Sequence, residues 1–501
     1  MVDKKLFKRT LLSAAFTLGF AAVGTASAVD WIMLQGTEPV GGSIGAKPWG
    51  FVQVNYQKDN SPANTAGAFV PAKLIGPNLN AQSGFQLSHL QFGLRGTGFP
   101  LDEHINYMIL LEAGNAATNA YGNGSGGTVN NGAVVTDASV TLNYIEGARI
   151  RVGMFKTPGS DEGLQSLTSM EYVNFSEMTN QLLLERLPNA GFTPCVAVTG
   201  ATTCSPGNGP TSLLPTGNTD AYTPGQLQNG AGLNKYTNPV SAFRDTGIQV
   251  FDAFKMGNDW KLTYAAMLGQ GSGIQYNNVD GKYDTYFYLS TEKNLDGGTG
   301  AYKHGLKLFA WNQSGQRLLD NTSGCVPNAI PVLPATPYTC TPTQNAQLYD
   351  RKRSGVGVKL IDTLFRVTAE YVEANGMIFE GQDKPNFYFT NEAAGNGADA
   401  KGYGWYLDGG WYIPNTKWEL DARYDTTELN TGRADEHVFS KWTIGTQYIY
   451  NPMSRVTLNY EMRDFKCTGL TAGATSSQCN TANGNLNDVR SKISVQVMSA
   501  F

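Results

Sequence analysis

Over the last eleven residues, SKISVQVMSAF, apolar and polar positions alternate with period two. Ile493, Val495, Val497 and Phe501 share one face, while Lys492, Ser494, Gln496, Met498 and Ala500 share the other, as in a strand between two unlike environments. A soluble sandwich turns the apolar face of such a strand to its core, whereas a membrane barrel turns it to lipid. The alternation recurs upstream. Residues 454–465 set Val456, Leu458, Tyr460 and Met462 against Arg455, Thr457, Asn459, Glu461 and Arg463, and 441–450 carries Trp442, Ile444, Tyr448 and Tyr450 on its apolar side.

Read this way, the chain predicts about sixteen strands, at 49–57, 85–99, 104–114, 135–145, 148–156, 243–254, 259–269, 283–292, 301–312, 354–361, 364–374, 402–413, 416–425, 441–450, 454–465 and 491–501. Tight turns such as 146–147, 362–363 and 414–415 alternate with long connections. An even strand count with short turns at one end and long loops at the other predicts an all-β fold, a transmembrane antiparallel up-and-down β-barrel with long external loops and short periplasmic turns. Segments of about ten residues suffice to cross a bilayer at a tilt. Trp49, Phe51, Phe99, Trp260, Trp311, Trp405, Trp411, Trp418, Trp442, Tyr448 and Tyr450 lie at or near predicted strand ends, where interfacial aromatic girdles are expected.

Composition adds little against this reading and removes others. Only 16% of the 501 residues are charged, and the mean hydropathy of -0.27 excludes a helical membrane bundle. The one long apolar run, LLSAAFTLGFAAVGTASA, follows Lys4, Lys5, Lys8 and Arg9 and closes on Ala26-Ser27-Ala28, the order of a secretory signal. Residues 1–28 are therefore expected to be cleaved, leaving a short periplasmic N-terminal segment at 29–46 and the barrel at 47–501. Cleavage removes four bases and one acid, moving the formal net charge from -4 to about -7, which suggests no nucleic-acid partner. The expected setting is the bacterial outer membrane, with its lipid as one partner.

Six cysteines form three close pairs, Cys195 with Cys204, Cys325 with Cys340, and Cys467 with Cys479, each a candidate disulfide closing a small loop in an exported protein. No CxxC or CxxCH motif occurs, so neither a structural zinc site nor an attached c-type haem is expected, and no cofactor is assigned. His89, His104, His304 and His437 are the only histidines and lie in no recognisable hydrolase motif. His437, after Asp435 and Glu436 in an expected external loop, is the weak hint of an enzyme, and no catalytic residues are assigned.

If apolar positions face lipid, the charged positions between them face the lumen. Toward the short-turn end the inward set is rich in bases: Arg95, Arg149, Arg151, Lys261, Lys303, Lys307, Lys359, Arg366, Lys417 and Arg455. Clustered Arg and Lys favour anions, because their donors replace part of an anion's hydration while the low-dielectric wall focuses the field. Alternatively, these bases pair with acids of neighbouring strands and order the wall. The longest connection, 157–242, follows the fifth strand, and a loop of that length is expected to narrow the channel or bind a partner. Its candidate polar contacts are Glu171, Glu177, Glu185 and Arg186.

RIRVGMFKTPGSDEGLQS with the following NQLLLERLP resembles the strand and loop signature of outer-membrane porins of the phosphate-selective O/P type, and WGFVQVNYQ with LSHLQFGLRGTGF resembles their first hairpin. The resemblance implies a trimeric, anion-selective porin with an inward-folded third loop. Gly159 stands where that family's motif has an aromatic residue. The function expected is passive diffusion of small hydrophilic solutes, with a preference for phosphate or other anions. The alternative is a barrel sheath enclosing a multihaem cytochrome as an electron conduit, which needs a wide lumen without an occluding loop.

Overall fold

The computed structural model describes residues 30–34, 45–60, 83–98, 101–114, 133–183, 243–271, 273–274, 281–295, 297–298, 303–320, 325–327, 338–340, 346–378, 400–432, 436–451, 454–467, 470–471, 474–475 and 491–501. Each of the sixteen predicted strands is present, with some ends displaced, and together they close into one antiparallel barrel. In chain order the barrel strands are β1 (Gly45–Asp59), β2 (Ser83–Thr97), β3 (Ile105–Ala113), β4 (Val134–Leu142), β5 (Arg149–Lys156), β6 (Arg244–Gly257), β7 (Trp260–Gly269), β8 (Asp284–Asn294) and β9 (Gly305–Asp320). They continue with β12 (Ala346–Ile361), β13 (Phe365–Asn375), β14 (Lys401–Tyr412), β15 (Trp418–Leu429), β16 (His437–Asn451), β17 (Ser454–Cys467) and β20 (Lys492–Ala500). Two small ladders lie apart, β10 (Cys325–Pro327) with β11 (Tyr338–Cys340), and β18 (Leu470–Thr471) with β19 (Ala474–Thr475).

Barrel strands adjacent in sequence pair with each other throughout, and β20 closes the ring by pairing with both β17 and β1. The closure runs to the last residue: Phe501 N–H donates to the Gly50 carbonyl at 2.9 Å, and Gly50 N–H to the Phe501 carbonyl at 3.0 Å. Gly50 is required by this approach, since a Cβ there would lie 2.5 Å from the Gln91 carbonyl oxygen and 2.6 Å from the Phe501 ring. Closure of the ring gives every barrel strand a neighbour on both sides. At the short-turn end β6 and β7 are joined by Asn258 and Asp259, both at positive φ (47° and 64°), the backbone that a tight hairpin needs and that Asn and Asp tolerate.

The period-two pattern of the sequence becomes two surfaces. On β17, Val456, Leu458, Tyr460 and Met462 are exposed to the outside, while Arg455, Thr457, Asn459 and Glu461 are buried within. On β20, Val497 and Phe501 face out and Lys492, Ser494 and Gln496 face in. An outer face so rich in exposed Leu, Ile, Val, Phe and Trp is unsuited to water and suited to hydrocarbon. Trp405, Trp411, Trp418, Trp442 and Tyr450 lie on this outer face as predicted. Phe51 and Trp311 do not: both are buried inside the barrel, because they share parity with the inward Gln53 and Gln313. Phe99 lies outside the described residues.

Cys325 and Cys340 stand opposite each other in the β10–β11 register, and Cys467 is buried at the end of β17. Cys195, Cys204 and Cys479, with residues 1–28, lie outside the described residues. Inside the barrel two further pieces of chain complete the core. One is the short helix α1 (Trp31–Leu34); the other is the run 157–183 after β5, which contains helix α2 (Asp161–Leu164), a 3₁₀ turn (Leu167–Ser169) and a π-helical turn (Thr179–Leu183).

Candidate functional site

Directly after β5 the chain turns into the lumen, and one side chain makes the turn. Lys156, the last residue of β5, donates from Nζ to the carbonyls of Gly163, Leu164 and Gln165 at 2.9, 3.2 and 2.7 Å. These include the unsatisfied carbonyls at the end of α2, where a cation is favoured. Thr157 N–H donates to the Phe243 carbonyl at 2.9 Å, which ties the two stems of the connection together.

From there the run crosses the barrel and is held by charged side chains from widely separated strands. Asp161 accepts from Lys307 of β9 at 2.8 Å and from Lys359 of β12 at 3.1 Å. Glu370 of β13 accepts from Ser160 Oγ (3.0 Å), Asp161 N–H (3.2 Å), Trp311 Nε1 (2.9 Å) and Tyr406 Oη (3.2 Å), so it receives the start of α2. Glu162 pairs with Arg423 of β15 at 3.1 Å and accepts from Ser176 N–H and Oγ, which folds the run back on itself. Arg423 also donates to the Asn174 carbonyl at 2.9 Å and stacks over Tyr172, 4.2 Å from its centroid.

Farther along, Val173 N–H reaches Asn459 Oδ1 at 2.8 Å and Asn174 Nδ2 reaches Glu461 at 2.5 Å. Glu177 N–H donates to Asp425 at 2.7 Å, Lys441 of β16 donates to Glu177 at 3.0 Å, and Arg353 Nε donates to the Leu182 carbonyl at 2.8 Å. Burial alone would raise the carboxyl of Asp161, but the ammonium groups of Lys307 and Lys359 outweigh it and hold the group below the usual carboxylate range. Glu171 behaves alike: burial opposes ionisation, and Arg366 and then Lys359 overcome it. Both carboxylates are therefore charged anchors. Between run and wall a small cavity is lined by Glu162, Glu171, Tyr172, Lys359, Asp408 and Arg423, a mixture of both signs.

The ten bases predicted to line the pore divide into groups. Arg366 is the most heavily paired, with Glu419 (2.7 Å), Asp421 (2.6 Å), Asp408 and, across 3.7 Å, Glu171 of the inward run. Lys307 and Lys359 share Asp161, Lys261 pairs with Asp30 at 2.7 Å, and Arg149 lies 3.5 Å from Asp252. Arg151 is fully buried, bonded to Thr141 at 3.2 Å and stacked over Phe251, and Arg455 donates to the Met170 carbonyl. Arg95 is half-buried on β2, opposite Lys47 of β1. Lys303 and Lys417 lie just before β9 and β15 rather than on them, and Lys417 is exposed, donating to the Tyr450 carbonyl.

Of the loop contacts anticipated from sequence, Glu171 and Glu177 are among the anchors, whereas Glu185 and Arg186 lie outside the described residues. Sequence reasoning passed over Asp161, Glu162, Arg423, Lys441 and Asp30. The inward parity of Arg423 and Lys441 was available, and Asp161-Glu162 stood inside the quoted GSDEG motif; what no pattern gives is a partner hundreds of residues away. His437, expected in an external loop, is instead the first residue of β16, fully buried against Phe439 and Phe465. The seating of 157–183 also takes the space that a cytochrome sheath requires, and among the described residues no contact in the lumen supports that alternative.

No protein-family model matches the chain, and no curated protein matches it. Solved structures align over nearly the whole length. Among them are the outer membrane channel DcaP of Acinetobacter baumannii (10% identity, 93% of this chain and 100% of that one, TM-score 0.45) and an anion-selective porin from Comamonas acidovorans (13%, 91% and 99%, TM-score 0.44). Salmonella typhi OmpF aligns similarly (11%, 91% and 97%, TM-score 0.42). Likeness at this level says nothing about solute or selectivity, which rest on the geometry above.

Proposed function

We propose that this protein is a channel of the bacterial outer membrane through which small hydrophilic solutes diffuse, with a modest preference for anions, and that it is not an enzyme. The observation that carries the reading is the seating of 157–183 inside a closed barrel whose inner wall is polar and whose outer wall is apolar. A seated loop makes a narrow passage, and a narrow passage lined by charge sorts solutes by size and sign. Anion preference draws support from the number of inward bases in the short-turn half, Arg95, Arg149 and Arg151 among them. It is modest because carboxylates neutralise several of these bases, Arg149 included through Asp252, and among the described residues buried acids outnumber buried bases. Homotrimeric assembly, export through a cleaved signal at 1–28 and the three disulfides belong to the same proposal, with phosphate as one anion to test.

Reversal potential in a planar bilayer under a KCl gradient tests it. The reading expects a small anion-selective potential that falls toward zero or reverses in R149E/R151E. Absence of any channel overturns the function; an unchanged potential in that variant overturns the role of the two arginines.

A further inference from the structure

The short segment Asp30–Leu34 lies inside the barrel, and its seat has chemistry of its own. The Asp30 carboxylate is clamped by the wall: Lys261 Nζ donates to Oδ2 at 2.7 Å and Thr263 Oγ1 at 2.6 Å, both from the inward face of β7. Its other oxygen accepts from Met33 N–H at 3.2 Å. Trp31 and Ile32 are buried in the cluster that contains Phe251, Ala265, Tyr288 and Phe309. The register explains why acid and ring come together. Ala265, two positions above Thr263 on the same face of β7, pairs with Phe251 on one side and Tyr288 on the other, so a cation, a hydroxyl and an aromatic wall follow one another up the strand. Lys261 stands close to the tight Asn258–Asp259 turn, which places the seat in the short-turn half of the lumen.

Glu292 stands where it could serve Lys261 as a second partner. It faces Lys261 across the β7–β8 register, it is fully buried, and neither of its carboxylate oxygens has a hydrogen-bond partner among the described residues. Withdrawing Asp30 from a buried lysine ordinarily costs several kcal/mol, because the ammonium is left uncompensated. Here Glu292 lies across from the lysine in the β7–β8 register, which lowers the cost of withdrawing Asp30 and is what a two-state seat needs.

We infer that the wall formed by Lys261, Thr263, Phe251 and Tyr288 is a binding site for an aromatic carboxylate solute, and that Asp30–Leu34 occupies it in competition with that solute. A carboxylate takes the place of Asp30 on Lys261 and Thr263, and a ring takes the place of Trp31. A solute that displaces the segment clears its own path, so the channel opens to the compounds that fit the seat. The inference rests on the channel reading for its consequence but not for its site.

Two measurements on the full-length protein keep the two apart. Equilibrium dialysis of benzoate against detergent-purified protein reads the site without a channel. The D30A/W31A variant, its seat vacated, should bind benzoate at least tenfold more tightly than the unaltered protein, and K261M in that background should abolish binding. Acetate and benzyl alcohol, each carrying half of the recognised chemistry, should bind at least tenfold more weakly than benzoate. In a planar bilayer, benzoate should raise the conductance of the unaltered protein and, in a saturable way, lower that of D30A/W31A, which starts higher. Equal benzoate binding by the unaltered protein and D30A/W31A, or acetate binding as tightly as benzoate, overturns the site. Benzoate binding with unchanged conductance in both proteins overturns the competition, while no current from any variant overturns the channel alone.

Discussion

Replacing Asp161 with asparagine removes one carboxylate from between two buried ammonium groups. Lys307 and Lys359 donate to it at 2.8 and 3.1 Å, and all three side chains are at most 6% exposed. At an effective dielectric of about 20, charges at these separations attract by roughly 5 to 6 kcal/mol each, before desolvation is counted. Desolvation of the three groups cancels much of that attraction, yet removing one partner of a buried pair leaves the other charge uncompensated at a cost of about 3 to 5 kcal/mol. Glu171 near Lys359 and Glu292 opposite Lys307 recover part of it, so about 3 kcal/mol is expected. The loss falls on the seating of 157–183 and not on the barrel, whose sheet is hydrogen-bonded independently of the run. Glu162–Arg423 and Glu177–Lys441 still hold the run, so D161N should keep a closed barrel by circular dichroism while its single-channel current becomes noisier and its mean conductance rises. A double-mutant cycle with K307M should return a coupling of at least about 1 kcal/mol in urea unfolding. Unchanged current noise together with zero coupling would refute the claim that this ion pair seats the run.

Two further consequences are independent of that one, and a third concerns the pH dependence of the same anchor. L458R places a charge on the outer face of β17 and should cost about 2 to 4 kcal/mol if Leu458 lies near the bilayer midplane; folding titrations into lipid vesicles check this, and undisturbed folding would place Leu458 away from lipid. G50V introduces a side chain where a Cβ already meets the Gln91 carbonyl oxygen and the Phe501 ring, and should cost about 1 to 3 kcal/mol; heat-modified gel mobility should show earlier opening of the barrel, and wild-type behaviour would mean that the β1–β20 seam is looser than described. Asp161 has its pKa depressed below 3.8, so its contribution is fully present above about pH 4 and is lost only as pH falls through the lower folded value. Conductance should therefore show no step due to this anchor between about pH 7 and 4.5, and a step there abolished by D161N would contradict the sign of the shift.

Much of the barrel was legible because a strand advertises its two faces by parity alone. Val456 to Met462 against Arg455 to Arg463 is such a case, and the structure keeps every one of those positions on the predicted side. The same parity, applied to Phe51 and Trp311, would have put them inside; reading them by their place near strand ends put them in the girdle. Strand lengths were less legible, since β9 continues to Asp320 and β12 begins at Ala346, where alternation no longer has lipid on one side to enforce it. That Arg366 and Lys307 face inward followed from pattern. That Arg366 meets three wall carboxylates and one from the loop did not, because such pairing depends on which residues the barrel closure and the loop bring to one height. The seat of Asp30 was illegible for the same reason: an acid shortly after an apolar leader carries no mark of a lysine more than two hundred positions away.

Whether 157–183 sits in the conducting path, on which the whole reading of the lumen depends, can be decided with a single introduced thiol. With Thr168→Cys in the 3₁₀ turn of that run, a charged, membrane-impermeant thiol reagent applied to a single open channel should lower its current in one discrete step, and a reducing agent should restore it. Complete labelling of the introduced thiol, verified by mass, with no change in current would place the run outside the path and contradict that reading.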